Sequence, residues 1–196
     1  MEKVLENYMN QIRFGKRQAY RNMAVFPVIM DDALSPDYLI LDEALQDRAI
    51  EITEVTEGGS VPELKLKNNS SRNVLVLDGE ELVGAKQNRV INVTILIGPK
   101  RTVVIPVSCV EQGRWSYRGS HFRSEDRILA SRMKARKLYD VKESLQRGRG
   151  YQGDQGRVWE GVEDMMCSLD CLSPTAAMSD VYEQKRGSLD EYLNHF

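Results

Sequence analysis

Two short runs of β-branched residues around a turn constrain the fold of this chain most strongly. The first run, 90–97, alternates valine and isoleucine with Asn92 and Thr94, and the second, 102–107, follows the turn at 98–101. Alternation with a period of two predicts strands, and strands this close in sequence pair antiparallel. We therefore predict a hairpin in which Pro106 bends or ends the second strand.

Further strand patterns precede the hairpin, and helical patterns follow it. The earlier strand patterns lie at 24–30, 49–55, 64–67 and 74–77, with a short helix predicted at 38–48. Helical spacing begins at Ser124, a suitable N-cap, and returns in three later segments: 158–169, 176–186 and 188–196. Strands first and helices afterwards predict an α+β fold. We expect an antiparallel sheet or sandwich, with strands mainly in residues 25–107 and C-terminal helices packed on it.

Length and composition predict one soluble domain over residues 1–196. A chain of 196 residues is long enough for a substantial core and too short for two ordinary domains. Its apolar runs are far shorter than the roughly 18 to 20 residues that span a bilayer, and its charged N-terminus does not resemble a signal peptide. Three cysteines are too few for a disulfide framework. These features predict a cytoplasmic location and no membrane partner.

Basic residues concentrate in the segment 114–157, although the whole chain carries a net charge of −2. The overall charge argues against a nucleic-acid binder. Two explanations of the basic segment stay open. A basic helix can lie beside an acidic one within the chain, or the segment can form a cationic wall that faces a phosphate or carboxylate ligand.

Two polar stretches flank the predicted hairpin. DGEELVGAKQNR, at 78–89, precedes its first strand, and IPVSCVEQGRW, at 105–115, includes the end of its second strand. Counting outward from the turn places 86–89 beside 108–111. Burying such groups unpaired costs several kcal/mol each, so they pair either with each other or with a ligand. A self-satisfied network and a ligand site are therefore both open.

The ligand-site interpretation assigns roles by side-chain chemistry. Carboxylates can act as general acids and bases or hold a divalent ion, and the predicted catalytic residues are Glu80, Glu81 and Glu111. Amides, cations and an aromatic ring suit a polar small molecule, and the predicted ligand-binding residues are Lys86, Gln87, Asn88, Arg89, Cys109, Arg114 and Trp115. The metal and the cofactor stay unspecified.

Three weaker signals are interpreted as structural. Cys109 as a nucleophile has only His121 and His195 to activate it, and a lone cysteine is more often a small buried hydrophobe. Cys167 and Cys171 lack the second ligand pair of a zinc site. The glycine-rich stretch 147–156 could cradle a phosphate, but it matches no phosphate-binding motif and is more simply a linker.

The two polar stretches resemble the hallmark segments of the ARG and rhodanese-phosphatase-superfamily-associated protein domain family. The resemblance extends to VPELKLK at 61–67, DQGRVW at 154–159 and SPTAAMSDVY at 173–182. Gln155 and Trp159 of the DQGRVW run join the predicted ligand-binding set. The family name implies a link to ADP-ribose or NAD-related metabolism and assigns no catalytic residue. We expect similar proteins to extend past the equivalent of Phe196, which would make this chain a short or truncated form.

Two functions from different classes follow. In the first, the chain binds or processes an ADP-ribose-like ligand. Arg89 and Arg114 neutralise phosphates, and Trp115 stacks on the base. Gln87 and Asn88 contact ribose or amide groups, and the three glutamates act as acids, bases or metal ligands. In the alternative, the chain is a non-enzymatic protein-interaction module. Its polar motifs are then structural, and the basic helix predicted at 127–142 or the acidic C-terminal helices bind a partner. Whether the chain is an enzyme, and whether it forms a homo-oligomer, stay open.

Overall fold

A computed structural model of the protein describes residues 2–30, 37–56 and 58–196. The chain divides into two compact units, one of residues 37–184 and one that combines 1–36 with 185–196. The predicted single domain over 1–196 stays a prediction. No helix among the described residues has both the length and the apolar character needed to cross a membrane.

The described N-terminal part of the smaller unit contains a helix and two short antiparallel strand pairs. Its N-terminal elements are α1 (Glu2–Gln11), β1 (Arg13–Phe14), β2 (Gln18–Tyr20), β3 (Met23–Val25) and β4 (Val28–Ile29). β1 pairs with β4, and β2 pairs with β3. The single strand or arm predicted at 24–30 is therefore two strands, separated at Pro27. The ring of Tyr20 stacks on that of His195 with centroids 4.3 Å apart, which joins the two segments of the unit.

The larger unit carries the predicted strands and most of the helices. Its strands are β5 (Tyr38–Ile40), β6 (Ile50–Glu54), β7 (Glu63–Asn68), β8 (Asn73–Val76), β9 (Glu81–Gly84), β10 (Arg89–Ile91), β11 (Ile95–Ile97), β12 (Thr102–Cys109) and β13 (Phe122–Arg123). The helices are α2 (Leu41–Gln46), α3 (Ser131–Gln146), α4 (Gln155–Ser168) and α5, which runs over Met178–Leu193 and so extends into residues of the smaller unit. The predicted α+β class is confirmed.

Six strands form an antiparallel sheet in the order β13-β9-β10-β12-β7-β6. Its two edge strands approach each other, because Nε2 of His121, beside β13, lies 2.8 Å from Oε1 of Glu51 on β6. Gly84 permits the β9–β13 pairing: its φ is +139°, and a Cβ there would lie 2.5 Å from the carbonyl oxygen of His121. The sheet is therefore nearly closed.

The predicted hairpin is only half correct. β10 pairs with β12, but β11 leaves this sheet and pairs with β8, which also pairs in parallel with β5. The buried residue Asn92 separates β10 from β11: its Oδ1 accepts from Ser108 Oγ at 2.8 Å, and its Nδ2 donates to Tyr151 O at 3.1 Å. These side-chain bonds help to end the pairing there, and the chain crosses to the second sheet.

The sequence predicted that β12 bends or ends at Pro106, and the second of these outcomes is wrong. The strand continues to Cys109, and its pairing partner changes after Pro106: residues 102–106 pair with β7, and residues 107–109 pair with β10. Pro106 lacks an amide hydrogen, but its carbonyl oxygen still accepts from Asn92 N at 3.0 Å. A proline is tolerated where a ladder does not require its missing donor.

Two helix predictions also need correction. α3 begins at Ser131, not at Ser124, because Ile128 forms a β-bridge with Glu80, and Asp126 has a φ of +54°. The two helices predicted after 176 are one helix, α5, which continues through Gly187.

Two groups of apolar residues pack on opposite faces of the sheet. Inward-facing residues of the six strands form much of the main core, and they include Ile52, Leu64, Leu66, Leu82, Ile91, Ile105, Val107 and Phe122. The three-stranded sheet and α2 contribute most of the rest, which includes Leu39, Leu41, Ala44, Val74, Val76 and Ile97. The outward-facing Val90, with Val110, packs against residues of α3, α4 and α5 and the segment before them: Leu129, Met133, Val158, Val162 and Met178. The helices therefore cover one outer face of the sheet, as predicted.

Candidate functional site

The two polar stretches meet at one end of the six-stranded sheet, as counting outward from the turn predicted. Arg89, the first residue of β10, lies opposite Cys109, the last residue of β12. Beyond this pair, the backbone N–H of Asn88 donates to Glu111 Oε2 at 3.1 Å. This end of the sheet therefore collects carboxylates, amides and guanidinium groups, which divide into two clusters.

The first cluster, the Glu111 network, consists of Glu111, Arg114, Asn88 and Thr175. Arg114 forms a two-bond ion pair with Glu111, with Nε at 2.8 Å from Oε1 and Nη2 at 2.6 Å from Oε2. Its Nη1 donates to the carbonyl oxygens of Ala85 and Ser116, and Thr175 Oγ1 donates to Glu111 Oε1. The Arg114 and Glu111 side chains are only 5% and 0% exposed. A self-satisfied network, one of the two open interpretations, describes this cluster.

Hydrogen bonding sets the charge of Glu111. Burial by itself would raise the pKa of the carboxyl, but the hydrogen bonds from Arg114, the backbone N–H of Asn88 and Thr175 lower it by more. The pKa of Glu111 is therefore below its ordinary value, and the group is ionised at neutral pH.

The second cluster lies on the inner face of the sheet and centres on Glu54 and Arg89. Glu54 continues the inward row of Ile50 and Ile52 on β6, and Arg89 pairs with the core residue Leu82. The two side chains are 5% and 0% exposed, and Arg89 Nη2 lies 3.9 Å from Glu54 Oε1. Arg89 Nη1 donates to Gln87 Oε1 at 3.0 Å.

Several polar atoms of this pair have no hydrogen-bond partner among the described residues. They are both carboxylate oxygens of Glu54 and the Nε and Nη2 atoms of Arg89. An unpaired buried polar group is costly, and almost all such groups in folded proteins are satisfied by protein, water or ligand. The Glu54–Arg89 pair therefore differs from the Glu111 network in having hydrogen-bonding capacity to spare.

An aromatic ring and a lysine cover the pair. The ring centroid of Trp115 lies 5.6 Å from Arg89 Cζ and 5.3 Å from Lys86 Nζ. Lys86 Nζ also donates to the carbonyl oxygen of Gly58 at 2.5 Å. Trp115 is 48% exposed, so one face of this cover meets solvent. We call Glu54, Arg89, Gln87 and Cys109, with Trp115 and Lys86 above them, the sheet-end site.

The environment of Cys109 does not favour a nucleophile. Burial raises the pKa of the thiol to about 11, and Glu54 adds to this while Arg89 opposes it. The thiolate is the reactive form of cysteine, so at neutral pH the thiol is almost entirely protonated. The side-chain amide of Gln155 forms two hydrogen bonds with the Cys109 backbone: its Oε1 accepts from Cys109 N and its Nε2 donates to Cys109 O, both at 2.8 Å. Gln155 thereby attaches the start of α4 to the end of β12.

The three carboxylates predicted to be catalytic have different surroundings. Glu81 pairs with Val90 and so projects from the face of the sheet opposite to Arg89. Arg127 Nη1 lies 3.5 Å from Glu81 Oε2, and neither oxygen of Glu81 has a hydrogen-bond partner among the described residues. Glu80 accepts from Leu77 N at 2.7 Å. Glu111 belongs to its own network, so the structure does not assemble the three around one point.

The remaining predicted residue, Trp159, lies on α4 and is half-buried, and its Nε1 has no partner among the described residues. The part of the chain that the structure describes contains no group of three His, Cys, Asp or Glu side chains that could hold a metal ion. The ligand-binding and catalytic roles stay predictions.

Sequence reasoning missed Glu54. The available signal was its place at the last inward position of an alternating strand, Ile50–Glu54, where an apolar residue is expected. A carboxylate at a core-facing position is rarely buried unless it is paired, so this position indicates a buried cation beside it, which the structure shows to be Arg89.

The buried carboxylate of Glu81 should make the stability of the protein depend on pH. Burial raises its pKa to about 7 against the opposing effect of Arg127, so the native state holds this proton more tightly than the unfolded chain. The resulting stabilisation is complete below about pH 4.5 and is lost as the pH rises through about 7. We expect Glu81→Gln to be more stable than the wild type at pH 8, by on the order of 1–3 kcal/mol.

Urea denaturation at pH 5 to 8 measures this effect. The control is Glu160→Gln, whose exposed carboxylate pairs with Arg136; this variant should keep the wild-type slope of stability against pH. An unchanged slope in Glu81→Gln would show that Glu81 titrates in the ordinary range.

The comparisons with known proteins agree with the resemblance seen in the sequence. A family model described as the ARG and Rhodanese-Phosphatase-superfamily-associated Protein domain matches residues 11–196. Searches of curated proteins and of solved structures found no significant match. Because the model covers nearly the whole chain, the protein belongs to the ARG and Rhodanese-Phosphatase-superfamily-associated Protein domain family.

Proposed function

We propose that the protein binds a phosphate-bearing, nucleotide-like ligand at the sheet-end site. The observation that carries the proposal is the Glu54–Arg89 ion pair, which is almost fully buried and has four polar atoms without a hydrogen-bond partner among the described residues. The open ends of closed or nearly closed sheets are frequent positions for small-molecule sites. A polar ligand would satisfy atoms that the described protein groups leave unpaired.

The cover of the site supplies the other groups that a nucleotide needs. Trp115 offers an indole face for a base, and stacking of this kind contributes about 1–3 kcal/mol per base. Lys86 is the cation nearest to the ring, and we assign it to the phosphate. The family name refers to the ARG and phosphatase superfamilies, which supports ADP-ribose as the first compound to test.

The proposal changes two assignments made from the sequence. Arg114 uses its donors on Glu111, Ala85, Ser116 and Asn88, so we assign it to positioning this end of the sheet and not to a phosphate. Glu111 accepts from Arg114, Asn88 and Thr175, and we assign it the same structural role. The proposal concerns binding and includes no reaction.

Isothermal titration calorimetry with ADP-ribose, AMP and inorganic phosphate tests the proposal. We expect ADP-ribose and AMP to bind, and Trp115→Ala to weaken both by about 5- to 100-fold because the stacking surface is lost. The matched control is Tyr139→Ala, which removes an exposed aromatic ring from α3 and should leave the affinity unchanged. Absence of nucleotide binding by the wild type, or equal affinities in wild type and Trp115→Ala, would contradict the proposal.

One observation favours the interaction module as a second candidate. A groove of about 210 Å³ between α3 and α4 is lined by apolar side chains that include Met133, Val158 and Met165. Three arginines also line it and outnumber its two aspartates: Arg132, Arg136 and Arg157 against Asp140 and Asp164. This composition suits an acidic segment with an apolar anchor. This function would be identified by an acidic protein partner that binds the wild type and the Trp115→Ala variant but does not bind the double variant Arg132→Glu/Arg136→Glu.

A further inference from the structure

Glu54 and Arg89 present opposite hydrogen-bonding characters side by side. An ionised carboxylate only accepts, and a guanidinium group only donates. Their nearest atoms, Arg89 Nη2 and Glu54 Oε1, are 3.9 Å apart, which is too far for a hydrogen bond between them. A ligand group that joins the two must therefore donate to Glu54 and accept from Arg89.

This requirement excludes most charged ligand groups from the innermost position. A phosphate oxygen would accept from Arg89 but would meet the negative charge of Glu54, and an ammonium group would donate to Glu54 but could not accept from Arg89. A hydroxyl group does both. Two adjacent hydroxyls match the two unpartnered oxygens of Glu54 and the two unpartnered nitrogens of Arg89.

We infer that Glu54 and Arg89 bind the vicinal hydroxyls of a ribose, so that Glu54 makes the site specific for ribonucleotides over deoxyribonucleotides. This inference rests on the proposed function and adds the sugar and its orientation to it. Trp115 and Lys86 cover the pair, so they move aside when the ribose reaches it; the base then lies against Trp115, and the phosphate points outward to Lys86. Gln87 holds Arg89 in place, because its Oε1 accepts from Arg89 Nη1.

Calorimetric titration of the wild type with AMP, 2′-deoxy-AMP and 3′-deoxy-AMP tests the inference. A hydrogen bond to a charged group is lost with each missing hydroxyl, and we expect each deoxynucleotide to bind about 10- to 100-fold more weakly than AMP. Glu54→Gln should weaken AMP binding and reduce this preference to less than about 3-fold, because the side-chain amide keeps only one acceptor oxygen.

The matched control is Glu51→Gln, the same substitution on the same strand. Glu51 is on the opposite face of β6, where it pairs with His121, so this variant should retain the preference for AMP. Glu54→Asp is a second test in case Glu54→Gln does not fold. It keeps the buried charge opposite Arg89 but shortens the side chain by one methylene. It should fold, as circular dichroism would show, and should also lose most of the preference.

The outcomes separate the inference from the function on which it rests. A wild type that binds none of the three nucleotides contradicts the proposed function. A wild type that binds all three equally leaves nucleotide binding intact and overturns the assignment of the ribose to this pair. Retention of the AMP preference in both Glu54 variants overturns the role of Glu54.

Discussion

Glu111→Ala should lower the free energy of unfolding by about 3–5 kcal/mol, because it leaves a buried guanidinium group without its counter-charge. In the native protein Arg114 is bound by both oxygens of Glu111, and both side chains are almost fully buried. The same substitution also removes the acceptor of Asn88 N and of Thr175 Oγ1. One change therefore removes the hydrogen bonds that four donor atoms of three residues make to Glu111.

Urea denaturation followed by circular dichroism measures this loss. Glu160→Ala is the control, since it removes an exposed carboxylate that pairs with Arg136, and exposed pairs contribute at most about 1 kcal/mol. If Glu111→Ala cost no more than this control, the Glu111 network would not hold the strand ends together, and the structural role given to Arg114 would be wrong.

Lys137→Met should destabilise the protein by a similar amount, about 3–5 kcal/mol. Lys137 is 1% exposed, and its ammonium group binds Asp78 Oδ1 and donates to the carbonyl oxygens of Ile91 and Asn92 at 3.0 and 2.9 Å. Burial lowers the pKa of Lys137, although Asp78 opposes the shift. Methionine keeps most of the aliphatic volume, so the loss reports on the ammonium group and on the charge left at Asp78.

A double-mutant cycle separates these contributions. Asp78→Asn removes the charge that Lys137→Met leaves unpaired, so the double variant should be less destabilised than the sum of the two single variants. Lys142→Met, at an exposed position of α3, should change stability by less than about 0.5 kcal/mol. Strict additivity of the Asp78 and Lys137 substitutions would contradict the buried pair.

Features with a local cause could be predicted from the sequence. The alternation at 49–55 and 64–67 predicted strands close to Ile50–Glu54 and Glu63–Asn68, because one face of each is buried and the other is not. The adjacency of the two polar stretches followed from the pairing of β10 with β12. The strands could be predicted from a period of two in the sequence, and the adjacency could be predicted from the short separation of the two stretches along the chain.

Features set by long-range packing could not be predicted. The continuous pattern at 90–97 gave no sign that β11 would pair with β8. At the break between the strands, Asn92 bonds to Ser108 and Lys137, which are distant in the sequence. The neighbours Glu80 and Glu81 looked equivalent in sequence, yet a strand sends successive side chains to opposite faces. Glu54 lies 35 residues from Arg89 in the chain, and only the nearly closed sheet brings them together.

Binding of a nucleotide-like ligand at the sheet-end site can be tested directly, because the protein has two tryptophans and only one of them belongs to that site. Trp115 covers Arg89, whereas Trp159 lies on α4, so their indole N–H signals in a ¹⁵N-correlated NMR spectrum report on two different places. During titration with ADP-ribose we predict a saturable shift of the Trp115 signal, lost in Arg89→Lys, with little change at Trp159. A shift at Trp159 alone, or at neither indole while the ligand binds, would contradict the account.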